Sequence, residues 1–418
     1  TKFITISLEL VIVRVFKMSK VEWILAYFDG DELEGDPRYK DEYEKHWAVG
    51  FTQYLLHLYS KYKPLGVVYL SGQDRRSKPL YQISLGHFQD IDTEIDYEAC
   101  KRKGIIVSRR VGVGGGTIVG GPWGMAHIFL CDWSREENKK LFPDMDTAFG
   151  KVGQLIVRKY QYLGVKNAWY KHIGDVRVGL ENRKITGFGF TTVANFLAMN
   201  QVIGIGKPDL DYFIDVLRIP EEKIKDKPYK TIEEYLYAGM TSVEQEIGRK
   251  PSNDEVKEAL IKAYDEVLGI RLVEHEFGAE DRNFWLDLYE KMEREVGDKQ
   301  LYMVSSSRRF SSIPEDCMLG FARHKARKLI VAHVLVNREG IIKDVMLSGD
   351  FYCKPFEYAG KIEENLKGVS VNDKDTMLKK VKEICNLKEW EAPLVEAEDF
   401  VEAVFNAGLD AYKKLTGK

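Results

Sequence analysis

Arg109 and Arg110 run directly into a stretch almost without side chains, "RRVGVGGGTIVGG" at residues 109–121. Glycine opens the main chain to close approach and to conformations other residues avoid. Bare N–H groups beside a guanidinium make a cradle for phosphate oxygens. A glycine-rich turn with two solvated arginines gives the same letters, so the stretch alone leaves both readings open. If the preceding strand is still extended here, alternation sends Arg109 and Arg110 to opposite faces, and Arg110 is the one that reaches such a ligand. Elsewhere the chemistry is thinner. Cys100, Cys131, Cys317, Cys353 and Cys385 are scattered without a C-x-x-C spacing. That spacing suggests neither a zinc site nor a disulfide framework, and it points to a reducing, cytoplasmic compartment. His127 lies in the apolar run "MAHIFL", where alternation favours a packed histidine over a general base, and His172 and His324 stand no better.

The elements that must position these residues are short and mixed. "VEWILAYF", "LGVVYLSG", "LYQISLG", "GIIVSRR" and "MAHIFLCDW" have the β-branched and aromatic content of strands bounded by polar or glycine residues. "DEYEKHWAVGFTQYLLHLYSKY", "DTEIDYEACKRKG" and "MDTAFGKVGQLIVRKYQYLG" have the spacing of helices, the last closed by Gly164. "DVRVGL" and "KITGFGF" predict two strands joined by a polar turn, and "NDEVKEALIKAYDEVLG" an amphipathic helix opened near Ser252 and Asn253. From Tyr302 the pattern restarts. "KLIVAHVLVNREGIIKDVMLSGDF" predicts two strands around "NREG", followed by two helices. The fold class is therefore α+β, with a large first domain to residue 300 and a smaller one after it.

The whole chain narrows the function classes. It has 418 residues, 44% hydrophobic, enough for two or three domains with real cores. A formal net charge of −3 argues against a nucleic-acid binder. The apolar start "TKFITISLELVIVRVFK" is interrupted by Glu9, Arg14 and Lys17, which suits neither a membrane span nor a signal peptide. Residues 1–20 are expected to be an N-terminal extension or an edge strand. Lys- and Glu-rich runs such as "PEEKIKDKPYK" lean toward an archaeal or thermophilic source.

The segment "SLGHFQDIDTEIDYEACKRKGIIVSRRVGVGGG" resembles the core signature of the lipoate–protein ligase family. In that signature a strand ends in Gly-x-x-Gln, an acidic residue opens a helix, and a second strand delivers two arginines into a triple glycine. Here these are Gly86, Gln89, Glu94, Arg109, Arg110 and Gly114 to Gly116. Three further stretches resemble the family in order: "GDVRVGLENRKITGFG" with Asp175, Lys184, Ile185, Thr186 and Gly187, the helical "TSVEQEIGRKPSNDEVKEALIKAYDEVLGIRL", and "HKARKLIVAHVLVNREGIIKDVMLSGDF". The loop departs from the family pattern: it is one residue longer, lacks the usual serine, and has Gly120 and Gly121 where a histidine and an aspartate are expected.

The resemblance implies a biotin/lipoate-ligase-like catalytic domain over residues 21–300 and a C-terminal accessory domain over 301–418 that acts as a lid. It implies ATP-dependent ligation of lipoate, through lipoyl-AMP, to a lysine of a carrier domain, with ATP and Mg2+ as cofactors. The carriers would be lipoyl domains of 2-oxoacid dehydrogenase E2 subunits or the glycine-cleavage H protein, with no nucleic acid or membrane involved. Lys184 becomes the catalytic lysine. The adenylate would meet Arg110, Gly114, Gly115, Gly116, Thr117, Ile118 and Lys184, and lipoate would meet Lys184 and Gly187. Asp175 would orient either Mg2+ or Lys184. Trp123, Phe188 and Phe190 are either the wall of an acyl slot or plain core. Three alternatives stay open: another acyl acid such as octanoate or biotin, a thioester-dependent octanoyltransferase, and a non-catalytic adenylate-binding protein. The octanoyltransferase needs a thiolate, yet no cysteine stands between Cys131 and Cys317.

Overall fold

The computed structural model describes residues 21–28, 32–74, 79–224 and 229–417. The expectation for residues 1–20 lies outside them. In chain order the strands are β1 (Val21–Phe28), β2 (Gly66–Ser71), β3 (Gln82–Leu85), β4 (Ile106–Arg109), β5 (Ile118–Gly120), β6 (Gly124–Asp132) and β7 (Ala168–Lys171). They continue with β8 (Asp175–Val178), β9 (Arg183–Val193), β10 (Phe196–Gly204), β11 (Ile270–His275), β12 (Cys317–Lys325), β13 (Leu329–Asn337) and β14 (Ile342–Gly349).

Eight strands form one mixed sheet in the order β11-β1-β2-β6-β10-β9-β8-β7. β1 runs parallel to both neighbours, and the rest pair antiparallel. Both faces are covered, as the dense apolar content of these strands requires. One face packs on the helices Met145–Tyr162 and Asn253–Ala263 through Val152, Leu155, Ile156, Val256 and Leu260. The other packs on Trp47–Tyr62 and Ala279–Glu295 through Tyr54, Leu55, Leu58 and Trp285. The helix over 253–263 starts with a capping box between Ser252 and Glu255, in the region where the sequence places its start.

A small sheet, β4-β3-β5, carries the Arg-Arg-glycine stretch. The segment expected as one helix over residues 92–104 is two short ones, Ile91–Glu94 and Tyr97–Lys103. Asp96 caps the second by accepting from the Ala99 N–H, so an extended capping residue interrupts the helical path. Ile95, just before it, bridges to Leu217.

The C-terminal unit is a three-stranded antiparallel sheet, β12-β13-β14, backed by the helices Tyr358–Leu366, Lys374–Cys385 and Ala397–Thr416. Its core reaches across to Phe88, at the turn after β3, which stacks on Phe351 with ring centroids 4.5 Å apart. The connecting segment is held from both sides. The Ser306 and Ser307 N–H groups donate to Asp90 and Asp92 at 3.1 and 2.9 Å, and Ser305 Oγ donates to Asp92 at 2.7 Å. Two residues on, Arg309 pairs with Asp344 at 2.8 Å and Glu363 at 2.6 Å, both in the C-terminal unit.

Candidate active site

The two arginines do go opposite ways from β4. Arg109 is fully buried, and its guanidinium donates to five carbonyl oxygens: those of Gly86, His87, Gln89, Leu301 and Val304, at 2.6–3.3 Å. Burial pulls its pKa down to about 10. Arg110, on the other face, donates to Ser84 O at 2.6 Å and Gly116 O at 2.7 Å. Burial, aided by Arg109, lowers its pKa to about 9, which leaves it charged at neutral pH. Arg109 thus braces the backbone, and Arg110 borders an open cavity.

The glycine loop is held at its edges and bare in its middle. Gln89 Oε1 accepts from the Gly86 N–H at 2.7 Å, and Gln89 Nε2 donates to Glu94 at 2.6 Å and to Thr117 Oγ1 at 2.9 Å. The Gly112 N–H donates to His87 Nδ1 at 3.1 Å, and burial holds that imidazole neutral with a pKa of about 4. Gly86 must lack a side chain, because a Cβ there would lie 2.1 Å from Gly115 O. Gly115 itself has φ +89°. Among the described residues, no hydrogen bond is made by the N–H groups of Gly114, Gly115 or Gly116. They are free to meet an anion.

Lys184 reaches the same cavity from β9. Its Nζ lies 2.7 Å from Asp175 Oδ1, and Asp175 Oδ2 accepts from Arg177 at 2.8 Å. Burial works against the Lys184 ammonium, but the Asp175 carboxylate outweighs it and the net shift is upward. Burial likewise raises Asp175, and Lys184 with Arg177 more than reverses that, leaving it below its ordinary value. Lys184 and Gly187 are three residues apart and would face opposite ways in a regular strand. Val176 pairs with Thr186 and Arg177 with Lys184, so Ile185 is an extra, bulged residue. Lys184 and Gly187 therefore both face the cavity, and the lysine folds over Gly187, where a Cβ would sit 2.8 Å from Nζ.

The cavity, of about 240 Å³, gathers Arg110, Gly114 to Ile118, Asp175, Lys184 and Gly187 in one wall. Every residue expected at the site from the sequence lines it. Met145, Phe149, Ile173, Phe188 and Phe190 form its apolar side. The C-terminal unit, expected as a lid, supplies the opposite wall through Lys328, Tyr352, Pro393 and Leu394, residues that the sequence reading did not single out. That unit touches the glycine loop directly: a Cβ on Gly114 would lie 2.3 Å from Phe351 O.

A second cavity, of about 180 Å³, lies on the other side of Ile118, which lines both. Its walls include Phe28, Trp47, Phe51, Tyr69, Met125 and Trp285 with Gly120, Gly121 and Ala126, and Glu32, Glu34, Glu44 and Asp74 also line it. Trp123 lines neither cavity; it packs on Phe213 and Tyr81 in the core beneath the small sheet. His127 is also core, its ring nitrogens engaged with Gln201 at 2.8 Å and Tyr264 at 3.0 Å.

Two alternatives can be weighed on this geometry. No cysteine lines either cavity. Burial pushes the Cys100, Cys353 and Cys385 thiols up to about 12, and Cys131 higher still, the reverse of what a nucleophilic thiolate needs. As for a metal, Asp175 is, among the described residues, the sole carboxylate lining the main cavity, and both of its oxygens are taken by cations. Among the described residues, no group of three His, Cys, Asp or Glu side chains could hold an ion. The residues present do not fit a resident magnesium site; an ion carried in on phosphate oxygens would be part of the substrate.

Residues 77–265 match the family described as lipoyl protein ligase A/B catalytic domain. Lipoate-protein ligase A subunit 1 of Thermoplasma acidophilum is 24% identical over 221 residues, 50% of this chain and 77% of that protein. Octanoyltransferase LipM of Oceanobacillus iheyensis is 22% identical over 211 residues, 47% of this chain and 73% of that protein. Among solved structures, P. falciparum LipL1 in complex with lipoate shares the fold at a TM-score of 0.52 and 14% identity, over 86% of this chain and 94% of its own. No described helix is long and apolar enough to cross a membrane.

Proposed function

We propose that this chain, which belongs through residues 77–265 to the lipoyl protein ligase A/B catalytic-domain family, is an ATP-dependent lipoate–protein ligase. A lipoate carboxylate oxygen attacks the α-phosphorus of ATP, the bond from that phosphorus to the bridging oxygen breaks, and pyrophosphate leaves. The amine of a carrier lysine then attacks the acyl carbon. The C–O bond to AMP breaks, an amide forms, and the amine's proton is released. The acceptor is the lysine of a lipoyl domain, of an E2 subunit or of the H protein, and the reaction takes place in the cytoplasm.

One observation carries this reading: Arg110, three bare glycine N–H groups and Lys184 converge on one cavity that no thiol lines. Both half-reactions collect negative charge in a small volume, and preorganised donors in a partly dry site are what stabilise it. Lys184 bridges the carboxylate and the α-phosphate, held in place by Asp175. Arg110 and the loop N–H groups bind phosphate oxygens. Ile118 marks the passage to the aromatic cavity, which takes the apolar tail.

Octanoyl transfer without ATP is the second reading, favoured by the octanoyltransferase relative. Pyrophosphate release from ATP, measured with lipoate, octanoate and biotin beside an ATP-free assay with octanoyl-carrier thioester, separates the two. The ligase reading expects release with lipoate and none of the thioester transfer. Transfer from the thioester at full rate without ATP would replace it with the second reading.

A further inference from the structure

We infer that Lys328, on the β12–β13 turn of the C-terminal unit, is the residue that binds the β- and γ-phosphates of the nucleotide and the pyrophosphate they become. The inference rests on the ligase reading and adds to it a residue outside the matched catalytic domain.

The charges around the main cavity lead to it. Among the described residues three cations line the cavity, Arg110, Lys184 and Lys328, against the single carboxylate of Asp175. Lys184 is committed to Asp175 at 2.7 Å, which suits it to one carboxylate and one phosphate and no more. Arg110 is fixed on two carbonyls, Ser84 O and Gly116 O, beside the glycine loop. The side chain of Lys328 alone among the three makes neither a hydrogen bond nor an ion pair with any described residue, so its ammonium donors are unspent. Its neighbourhood is the site itself: the charges it senses include Asp350, Lys184 and Asp175.

The backbone around Lys328 is held in place. The Leu329 N–H donates to Asp350 Oδ1 at 2.6 Å, the Asp350 N–H donates back to Leu329 O at 3.1 Å, and the Ala326 N–H closes the turn on Lys328 O at 3.2 Å. The lysine is thereby anchored on the Gly349-Asp350-Phe351 segment that rests on the glycine loop. Adenylation needs a cation at the departing pyrophosphate, and the other two cavity cations, Arg110 and Lys184, are each already tied to protein oxygens. Transfer of the acyl group takes place after pyrophosphate has gone and has no use for this charge.

The test uses the full chain and its K328M and K328R variants. Three readouts are taken: binding of inorganic pyrophosphate by calorimetry, lipoate-dependent ATP–pyrophosphate exchange, and transfer from preformed lipoyl-adenylate to a lipoyl domain. Loss of one charge-assisted contact should weaken pyrophosphate binding and slow exchange about 10- to 100-fold in K328M. Transfer should stay near wild type, and K328R should recover part of the loss. Unchanged binding and exchange in K328M, with an active wild type, overturns the assignment and leaves the ligase reading standing. An equal fall in exchange and transfer also overturns it, since that marks a residue needed only for structure. A wild type that exchanges with no acyl acid removes the ligase reading and this inference with it.

Discussion

Lys184 Nζ and Asp175 Oδ1 meet at 2.7 Å across the β8–β9 ladder, and each holds the other charged against burial. The Asp175 pKa is depressed, so its contribution to stability is full above the unfolded value of about 3.9 and is lost as pH falls through the folded one. The Lys184 pKa is raised, so its contribution is full below the unfolded value of about 10.4 and is lost as pH rises through the folded one. Asp175→Asn leaves burial unopposed at Lys184. We expect the alkaline limb of the adenylation pH–rate profile to move to lower pH in that variant. A profile superimposable on wild type would show that Asp175 does not set the lysine's charge.

Lys184→Met should fold normally and lose about 10²–10³ in adenylation rate, the usual cost of removing one donor from a developing charge. Lys184→Arg should also be poor, because a planar fork does not replace a compact ammonium between two oxygens. Arg183, paired with Glu246 at 3.0 Å and absent from the cavity wall, supplies the control: Arg183→Ala should stay near wild type. Adenylation by Lys184→Met at close to the normal rate would favour the adenylate-binding protein.

Arg109→Met should unfold at markedly lower urea, by at least about 3 kcal/mol, since it strands several buried carbonyls at once. Arg109→Lys should be only a partial rescue, one ammonium being unable to span donors aimed at both Gly86 and Leu301. A midpoint unchanged in both variants would mean that water satisfies those carbonyls.

Gly114→Ala places a methyl carbon 2.3 Å from Phe351 O. The loop or the C-terminal unit must give way, and a displacement of about 1 Å at a reacting centre can cost about 10²-fold in rate. We expect slower adenylation together with faster tryptic cleavage near Arg308 and Arg309. Normal values of both would show that the contact is not kept in solution.

Ala126→Phe, which fills the aromatic cavity, should raise the KM for lipoate while leaving the KM for ATP near wild type. A change confined to ATP would mean that the acyl tail lies instead against Phe188 and Phe190 in the main cavity.

Local chemistry was legible in the sequence wherever partners are close along the chain. Gly86, Gln89, Glu94 and Thr117 form a bracket within some thirty residues, and the Asp175–Lys184 hairpin closes on itself. The bulge at Ile185 was not legible, because one extra residue in a ladder leaves no mark in the strand's composition. Nor was the full part of Arg109: its face followed from alternation, but two of its acceptors, Leu301 O and Val304 O, come from the segment that leads to the second unit. The wall made by Lys328 and Tyr352 was hidden for the same reason, since a docking between units is decided by shapes that no period in either sequence reports. The second helix after β3 was missed through its cap: Asp96 sits in an apparently continuous helical run and stops it.

The short span from Ser305 to Arg309 sets the mechanics of the molecule. The serines are tied to Asp90 and Asp92, and Arg309 is tied to Asp344 and Glu363, so allegiance changes between Arg308 and Arg309. Rotation of the C-terminal unit about that junction would carry the whole second sheet with its helices, and would have to part the Phe88–Phe351 stack. The junction's ties are serine hydrogen bonds on one side and the Arg309 ion pairs on the other, none of them made by a residue that lines the cavity. Changes at Asp90 or Glu363 would then alter how far Lys328 and Tyr352 swing from the glycine loop, and so the gearing of one half-reaction to the next, without altering any group that meets substrate.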